Sequence, residues 1–278
     1  MSDTVEKICG ATVQHGDESK RIYLMKIGEA DPQELIGRLD ALALEKGYSK
    51  IFAKLPVESA HSFEASGYIR EATVPGFYRG REDACFMCRY LTIERMREDN
   101  PDELKQVLAL ALERQNAGVR GKLPEAAKIR ICTVEDLDEM AAIYQQVFPS
   151  YPFPVHESSY LLETMRSHVI YFGVEVEGKL LALSSAEMDR AGQNVEMTDF
   201  ATLPSFLGNG AAAALLAAME PAVTELGIIT AYTIARAVSP GMNITFARLG
   251  YQFGGRLINN TQISGSIESM NVWHKRLI

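Results

Sequence analysis

Apolar positions in the second half of the chain follow two periods, which predict alternating strands and helices. Uninterrupted apolar runs favour buried strands, and apolar residues recurring every three or four positions favour helices. Strands are predicted at residues 129–132, 169–176, 180–187, 195–202, 228–234, 252–258 and 270–277. Helices are predicted from Thr133 and over 157–166, 210–226 and 242–249. This order is typical of an α/β fold: a mixed central sheet with helices on both faces.

A stretch without periodicity separates this half from the first. Asn100 and Pro101 suit the start of a helix that ends near Gly118, and the glycine- and proline-containing residues up to Glu125 read as a linker. We therefore predict an N-terminal α/β domain without a cofactor loop, a connecting helix and linker, and a larger second domain. Their predicted bounds are residues 1–98, 99–128 and 129–278.

The first domain repeats the plan of the second in weaker form. Residues 35–55 predict a helix and a strand, residues 58–68 a second helix, and residues 69–74 and 84–91 two strands. Duplication and chance similarity of plan both explain this order. If duplication is correct, the smaller α/β domain is a degenerate half-copy that lacks the glycine loop described below.

The charge balance narrows the class of partner. Lys and Arg number 28 and Asp and Glu 36, a net charge of −8, which argues against nucleic-acid binding by phosphate neutralisation and is compatible with a small cationic substrate. No apolar run reaches the roughly 18 residues that span a bilayer, and the polar start argues against a secretory signal. We expect a soluble, cytoplasmic protein that binds neither nucleic acid nor membrane; a homodimer stays open.

The cysteines and histidines predict no metal site. Cys85 and Cys88 are spaced as a metal-binding pair, but no second pair exists, and on a strand they point to opposite faces. The five histidines lack ligand spacing, and only His156 lies near a candidate site. We expect buried free thiols rather than metal or redox chemistry.

Residues 195–219 carry the candidate chemistry. A strand ends near Pro204, a turn with Gly208 and Gly210 follows, and an alanine-rich helix begins within it. Small residues let a ligand approach the backbone, and free N–H groups at a helix start bind anions such as a pyrophosphate. The alternative is a turn that only packs helix against sheet; the flanking strand and long helix favour binding.

This segment resembles motif A of the GNAT (GCN5-related) N-acetyltransferases, whose proline, two glycines and final small residue match Pro204, Gly208, Gly210 and Ala212. Leu207 stands where that family usually has Arg or Gln, which implies weaker binding or compensation from elsewhere. The resemblance implies acetyl-CoA as co-substrate and no metal. It implies cofactor contacts at Phe200, Ala201, Leu203, Leu207, Gly208, Asn209, Gly210, Ala211, Ala212 and Asn243.

The resemblance extends over residues 129–278. Residues 249–251 resemble the family's closing Leu-Gly-Phe motif. Phe246 aligns with the helix tyrosine that many members use to protonate the CoA thiolate. Ser239 occupies a frequent asparagine position, for which Asn243, one turn later, is a substitute.

A narrower resemblance concerns the acceptor. Residues 197–204, 258–263 and 267–275 resemble the β-lysine N6-acetyltransferases, which make the compatible solute Nε-acetyl-β-lysine. The implied reaction is acetyl transfer to the terminal amine of a small diamine-type amino acid. Two alternatives stay open: an acetyltransferase for a polyamine, an aminoglycoside or a protein amine, and a non-catalytic acyl-CoA sensor, because Leu207 and Phe246 are both departures.

Acetyl transfer requires a base, because a free alkylamine has a pKa of about 10.4. Asp199, by preference over Glu196, is the candidate; both lie on the strand before the glycine turn. Strand alternation puts them on opposite faces unless a bulge intervenes, and a solvated strand face is the alternative for each. The resemblance implies an oxyanion donor in the backbone N–H near Phe200 or Ala201.

The two amines and the carboxylate of such an acceptor require an acid and a cationic or amide donor. Tyr151 and Phe153, in a proline-rich loop, are candidates to enclose the aliphatic chain, or else simply pack. Further candidate substrate contacts are the acid Glu268 and the amides Asn260 and Asn271. Residues 195–212 contain no cysteine, so we expect direct transfer without an acetyl-cysteine intermediate.

Overall fold

The computed structural model describes residues 3–278, which form one mixed sheet of thirteen strands with helices on both faces. The strands are β1 (Thr4–Ile8), β2 (Ala11–Gly16), β3 (Arg21–Lys26), β4 (Lys50–Pro56), β5 (Ile69–Tyr78), β6 (Glu82–Tyr90), β7 (Ala127–Ile131), β8 (Val169–Val176), β9 (Lys179–Asp189), β10 (Asn194–Thr202), β11 (Thr230–Arg236), β12 (Gln252–Ile263) and β13 (Ser266–Arg276). The helices are α1 (Pro32–Lys46), α2 (Val57–Ala65), α3 (Pro101–Leu112), α4 (Leu137–Val147), α5 (Ser158–Ser167), α6 (Ala211–Glu225) and α7 (Pro240–Arg248). The predicted α/β fold class is confirmed.

Strand alternation divides the core of the second half into two layers. On β8, Phe172 and Val174 pack with α6, and Val169 and Tyr171 pack with α4 and α5 on the opposite face. The thiols of Cys85 and Cys88 likewise lie on opposite faces of β6, as predicted. No helix within residues 3–278 is long and apolar enough to cross a membrane.

The two halves of the sheet share one topology. In the first half, β1, β2 and β3 form an antiparallel meander, α1 leads to β4 parallel to β3, and β6 and β5 complete the order. In the second half, β8, β9 and β10 form the meander, α6 leads to β11 parallel to β10, and β13 and β12 complete the order. The first half has no counterpart of β7, α4 and α5 within the described residues. The pattern predicted no elements for β1 to β3.

The halves meet through corresponding strands. β5 pairs antiparallel with β12, where Gly255 lies opposite Ala72. A Cβ at Gly255 would lie 2.1 Å from the carbonyl oxygen of Glu71, so this close approach requires glycine. The face of the first half that carries no helix packs Tyr23, Phe52 and other rings against residues of β11 and β13. The predicted domain bounds stay a prediction; the sheet is continuous.

The connecting segment, residues 113–126 between α3 and β7, packs against the second half. After α3, the N–H of Asn116 donates to the carbonyl of Ala247 at 3.0 Å, and the N–H of Gly118 donates to the carbonyl of Arg248 at 2.9 Å. These bonds fix the segment beside α7 and direct the following residues toward the start of α6.

Candidate active site

A cleft opens where the two central parallel strands separate. β10 and β11 are in register from Asn194 opposite Thr230 to Glu196 opposite Tyr232, and the strands diverge beyond this point. The cleft between the diverging ends is lined by Phe148, Tyr151, Thr198, Asp199, Phe200, Thr233, Ile234, Ala235, Arg236, Ser239, Met242, Phe246, Ile263 and Met270. It is a mainly apolar channel at the end of β10, the strand that leads into the loop before α6.

The loop before α6 presents a row of free backbone donors. Gly208 and Gly210 have φ angles of 85° and 74°, in the left-handed region that favours glycine. The backbone N–H groups of residues 208–213 have no acceptor within residues 3–278. Successive free N–H groups at the positive end of a helix dipole suit an anion. The expected pyrophosphate-binding residues therefore fit that ligand.

The connecting segment lies against this loop. A Cβ at Gly210 would lie 2.9 Å from the carbonyl oxygen of Arg120, and a Cβ at Gly121 would lie 3.1 Å from the Cα of Gly210. Arg120 and Lys122, the chain neighbours of Gly121, have exposed side chains, as does Leu207. Two cations thus accompany the backbone donors.

A row of polar side chains crosses the sheet at the point of divergence. Glu196 lies in register with Glu187 on β9 and with Tyr232 on β11. Burial and the charge of Glu187 raise the pKa of Glu196 to about 7, against the opposing charge of Lys54. The Lys54 Nζ donates to the Tyr232 hydroxyl at 3.0 Å, and that hydroxyl donates to Glu196. A carboxyl group titrating near neutral pH suits a general base.

A bulge places a second acid beside this row. The register of β10 with β9 shifts between Thr198 and Ala201, and Asp199 has a φ of 53°. Asp199 accepts hydrogen bonds from the Tyr151 hydroxyl at 2.5 Å and the Ser185 hydroxyl at 2.6 Å. Burial raises the pKa of Asp199, and these two bonds oppose the rise. The bulge overcomes strand alternation, so both acids face one cavity.

That cavity lies between the two halves of the molecule. From the second half it is lined by Tyr151, Pro152, Phe153, Val155, Tyr160, His168, Val169, Tyr171, Glu187, Glu196, Thr198, Asp199, Ile234, Asn260, Thr261, Ile263 and Met270. From the first half it is lined by Gln14, Arg21, Tyr23, Met25, Phe52 and Lys54. Tyr151, Thr198 and Asp199 also line the cleft, so cavity and cleft meet at the bulge.

Comparison with known proteins identifies the family. The model of the acetyltransferase (GNAT) family matches residues 137–251. The β-lysine N(6)-acetyltransferase of Methanococcus maripaludis is 38% identical over 275 residues, covering 98% of each chain. That of Methanosarcina mazei is 34% identical over 264 residues, covering 88% of this chain and 97% of its own. The chain belongs to the GNAT acetyltransferase family. A crystal structure of an N-acetyltransferase from Staphylococcus aureus aligns with 55% of this chain and 99% of its own at 19% identity, with a TM-score of 0.49.

The structure places the expected cofactor residues of this GNAT protein in three settings. Phe200 lines the cleft and meets the ring of Phe246 edge-on, with centroids 5.7 Å apart. Ala201 and Leu203 pack toward α4 and α5. The others form the loop and first turn of α6: Leu207, Gly208, Asn209, Gly210, Ala211 and Ala212.

Asn243 does not line the cleft. Its buried amide donates to the carbonyls of Arg236 and Ser239, and its oxygen accepts from Asn271 and Trp273. These four bonds use its full capacity, so Asn243 supports the start of α7. The expected cofactor contact at Asn243 stays a prediction.

Three of the five expected substrate residues line the cavity, namely Tyr151, Phe153 and Asn260. Asn271 is buried elsewhere, bonded to Asn243 and Arg256. Glu268 lies outside the cavity and forms an ion pair with Arg236 at 2.6 Å. These partners already use the polar groups of Asn271 and Glu268; their expected substrate contacts stay a prediction.

The sequence pattern indicated neither the individual cavity residues of the first half nor Glu187. The sign that could have revealed Glu187 is its position in the strand neighbouring Glu196. His168, rather than His156, is the histidine of the cavity; its pKa is raised by a hydrogen bond to Glu187, and their atoms are 3.6 Å apart. His156 lies in an adjacent surface groove.

Proposed function

We propose that this chain transfers the acetyl group of acetyl-CoA to the terminal amine of β-lysine, giving Nε-acetyl-β-lysine. One observation carries the proposal: a cavity holding Glu196 and Asp199 opens into a cleft at the end of β10, and the loop that follows this strand carries the free N–H groups of residues 208–213. The cavity fits a cationic acceptor, and the donors fit a pyrophosphate. The names of the Methanococcus and Methanosarcina relatives, aligned over nearly their full lengths, support β-lysine as that acceptor.

The residues proposed to bind acetyl-CoA lie around the start of α6. The N–H groups of residues 208–213 hold the pyrophosphate in this proposal, and the diverging strands β10 and β11 receive the rest of the molecule. Arg120 and Lys122 supply the cationic character that the family usually obtains from the position of Leu207. Acetyl-CoA brings an acetyl group already activated as a thioester.

Glu196 is the proposed base, and Asp199 the residue that binds the ammonium. A base must be ionised and free to accept a proton, and Glu196 titrates near 7. Asp199 already accepts two hydroxyl hydrogen bonds, which fix its orientation. This reverses the preference stated from sequence. Glu196 takes one proton from the bound ammonium, and the neutral nitrogen then attacks the thioester carbonyl. The C–S bond breaks, CoA leaves as the thiolate, and the second proton passes from the nitrogen of the new amide to that thiolate or to solvent.

Transfer is proposed to be direct. No cysteine of residues 3–278 lines the cavity or the cleft. Burial raises the pKa of Cys132 to about 12, so that thiol stays protonated. Phe246 offers no proton to the departing CoA thiolate, whose basicity is modest (pKa about 8.5 by analogy with cysteine).

A thiol-release assay over an amine panel tests this proposal. The panel contains β-lysine, α-lysine, spermidine, an aminoglycoside and a lysine-containing peptide, each with acetyl-CoA. We expect the highest kcat/KM with β-lysine. A higher value for a polyamine, aminoglycoside or peptide contradicts the acceptor. Calorimetric binding of acetyl-CoA with no turnover of any amine contradicts the enzyme and supports a sensor.

A further inference from the structure

Arg21 is a buried cation that forms no ion pair within residues 3–278. Its side chain lines the cavity and the residue is 5% exposed. One terminal nitrogen, Nη1, donates to the carbonyl of Asn260 and to the hydroxyl of Thr261, each at 2.8 Å. Nε and Nη2 have no acceptor within residues 3–278, and the nearby charge of Asp3 forms no ion pair with them. Buried charges are usually paired, and a guanidinium has five N–H donors. The N–H groups on Nε and Nη2 of Arg21 are therefore available to a ligand.

The other buried cations of the described chain are satisfied. Lys50 forms an ion pair with Glu71 at 3.1 Å and donates to the carbonyl of Ile258 at 2.6 Å. Arg95 donates to the carbonyls of Asn259 and Ser19 and to a serine hydroxyl. Neither lines the cavity. Arg21 is therefore the buried cation of the cavity wall; Lys54, which also lines the cavity, is half-buried and donates to the Tyr232 hydroxyl.

Gln14 adds a second unsatisfied group at the same wall. It is 1% exposed, it lines the cavity, and both polar atoms of its amide lack a hydrogen-bond partner in the described chain. Its strand pairs so that Gln14 lies opposite Tyr23 and Gly16 opposite Arg21, which puts Gln14 and Arg21 on one face of the sheet. A buried amide without partners is costly, and a ligand would relieve that cost.

We propose that Arg21 and Gln14 bind the carboxylate of the acceptor amino acid. This rests on the proposed function, in which Glu196 and Asp199 receive the distal amine. The first half then supplies the cationic wall and the second half the acidic wall of one cavity. A guanidinium pairs with a carboxylate through two parallel N–H bonds, and the glutamine amide adds a third donor. A polyamine would instead place a second ammonium against Arg21, so the site selects amino acids.

Two acceptors that differ only by the carboxylate test the proposal. For the full-length parent we expect kcat/KM to be higher with β-lysine than with 1,4-diaminopentane, its decarboxylated analogue. Arg21→Gln should lower kcat/KM for β-lysine about tenfold to a hundredfold, the value of a charge-assisted hydrogen bond, and leave the diamine nearly unchanged. Arg21→Lys should fall between. An equal fall for both acceptors would show that Arg21 only holds the fold, and would overturn the proposal.

Gln14→Glu provides a second variant that keeps the bonds of Arg21 to Asn260 and Thr261. Its carboxylate would pair with Arg21 and repel that of the acceptor, so β-lysine turnover should fall and diamine turnover should hold or rise. If Arg21→Gln fails to fold, this variant decides the matter: an unchanged preference for β-lysine overturns the proposal.

Arg95→Gln is the matched control, because it removes an equally buried arginine that bonds to the neighbouring carbonyl of Asn259. It should lower stability without changing the β-lysine to diamine ratio. Failure of the proposed function alone gives a different result. The parent would then ignore β-lysine yet prefer another amino acid over its decarboxylated analogue. Loss of that preference in Arg21→Gln would support the carboxylate site. A parent that acetylates only amines without a carboxylate overturns it.

Discussion

The two halves of the molecule share a crossover from strand to helix to parallel strand, but they differ at the start of the helix. Before α1, the Asp31 side chain accepts a hydrogen bond from the N–H of Glu34 at 2.9 Å, so the helix start binds its own carboxylate. Before α6, Gly210 has no side chain, and the N–H groups of the first turn stay free. A single position thus decides whether a helix start is capped or open to an anion.

The strands that precede these helices also differ, in how much of each strand pairs with the parallel strand that follows. Four of the six residues of β3 pair with β4, whereas three of the nine residues of β10 pair with β11. The third pair of each register is Tyr23 with Phe52 in the first half, stacked rings 4.5 Å apart, and Glu196 with Tyr232 in the second. The first half closes its sheet with aromatic packing; the second opens a cleft beside an acid.

The largest effect should come from removing that acid. Glu196→Gln keeps the shape of the row and should lower kcat about a thousandfold, since general base catalysis contributes about 10² to 10⁴. In the parent, kcat/KM should rise as pH increases through about 7, where Glu196 loses its proton, and this limb should disappear in the variant. Steady-state kinetics from pH 5.5 to 9 measure both. A variant that keeps the limb would assign it to another group.

Asp199→Asn distinguishes the two acids. Its expected effect is a raised KM for the amine with a smaller change in kcat, because Asp199 is proposed to bind the ammonium rather than to accept the proton.

The stability of Glu196→Gln tests whether burial raises the pKa of Glu196. The pKa of Glu196 is raised on folding, so its ionisation opposes folding more as pH rises from about 4.5 toward 7. The variant should therefore gain stability over the parent above pH 7, as thermal unfolding would measure.

A carboxylate introduced at Gly210 would convert the open helix start into one like that of α1. Gly210→Asp should lower acetyl-CoA affinity about a hundredfold, because its charge competes with and repels the pyrophosphate at the free N–H groups. Gly210→Asn has the same size, the same positive φ and the same approach to the Arg120 carbonyl without the charge. Calorimetry should show a clearly weaker loss for Asn. Equal losses would mean that bulk, not charge, governs the site.

The connecting segment should contribute less. Replacing Arg120 and Lys122 together by glutamine should weaken acetyl-CoA binding about three- to tenfold and reduce its salt dependence, because exposed ion pairs are screened and worth little. The control is Lys179→Gln with Lys128→Gln, two exposed cations outside the cleft and the loop. Affinity at low and high salt decides the matter. An unchanged salt dependence would remove the segment from the binding site.

Much of the second half could be predicted because its elements bury regular apolar patterns. β8 begins and ends at the predicted residues, and α6 differs by one residue at each end. The bulge at Asp199 could not be predicted, because it depends on how β10 pairs with β9. β2 and β3 were missed because they bury polar residues such as Gln14 and Arg21, which the other half covers. The polar residues of the cavity thus interrupt the apolar pattern by which β2 and β3 would have been predicted.

The smallest effect should come from the first half's own helix cap. Asp31→Ala removes the side-chain bond to the N–H of Glu34 and should cost about 1 kcal/mol of unfolding free energy, with acetyl-CoA affinity and kcat unchanged. Glu29→Ala is the matched control: it removes the same charge from an exposed residue of the same loop that makes no side-chain hydrogen bond within the described chain. Urea unfolding should separate the two variants, because only Asp31 satisfies a helix donor. Reduced acetyl-CoA affinity in Asp31→Ala would indicate that the first half also takes part in binding that ligand, against the contrast between its capped helix start and the open one before α6.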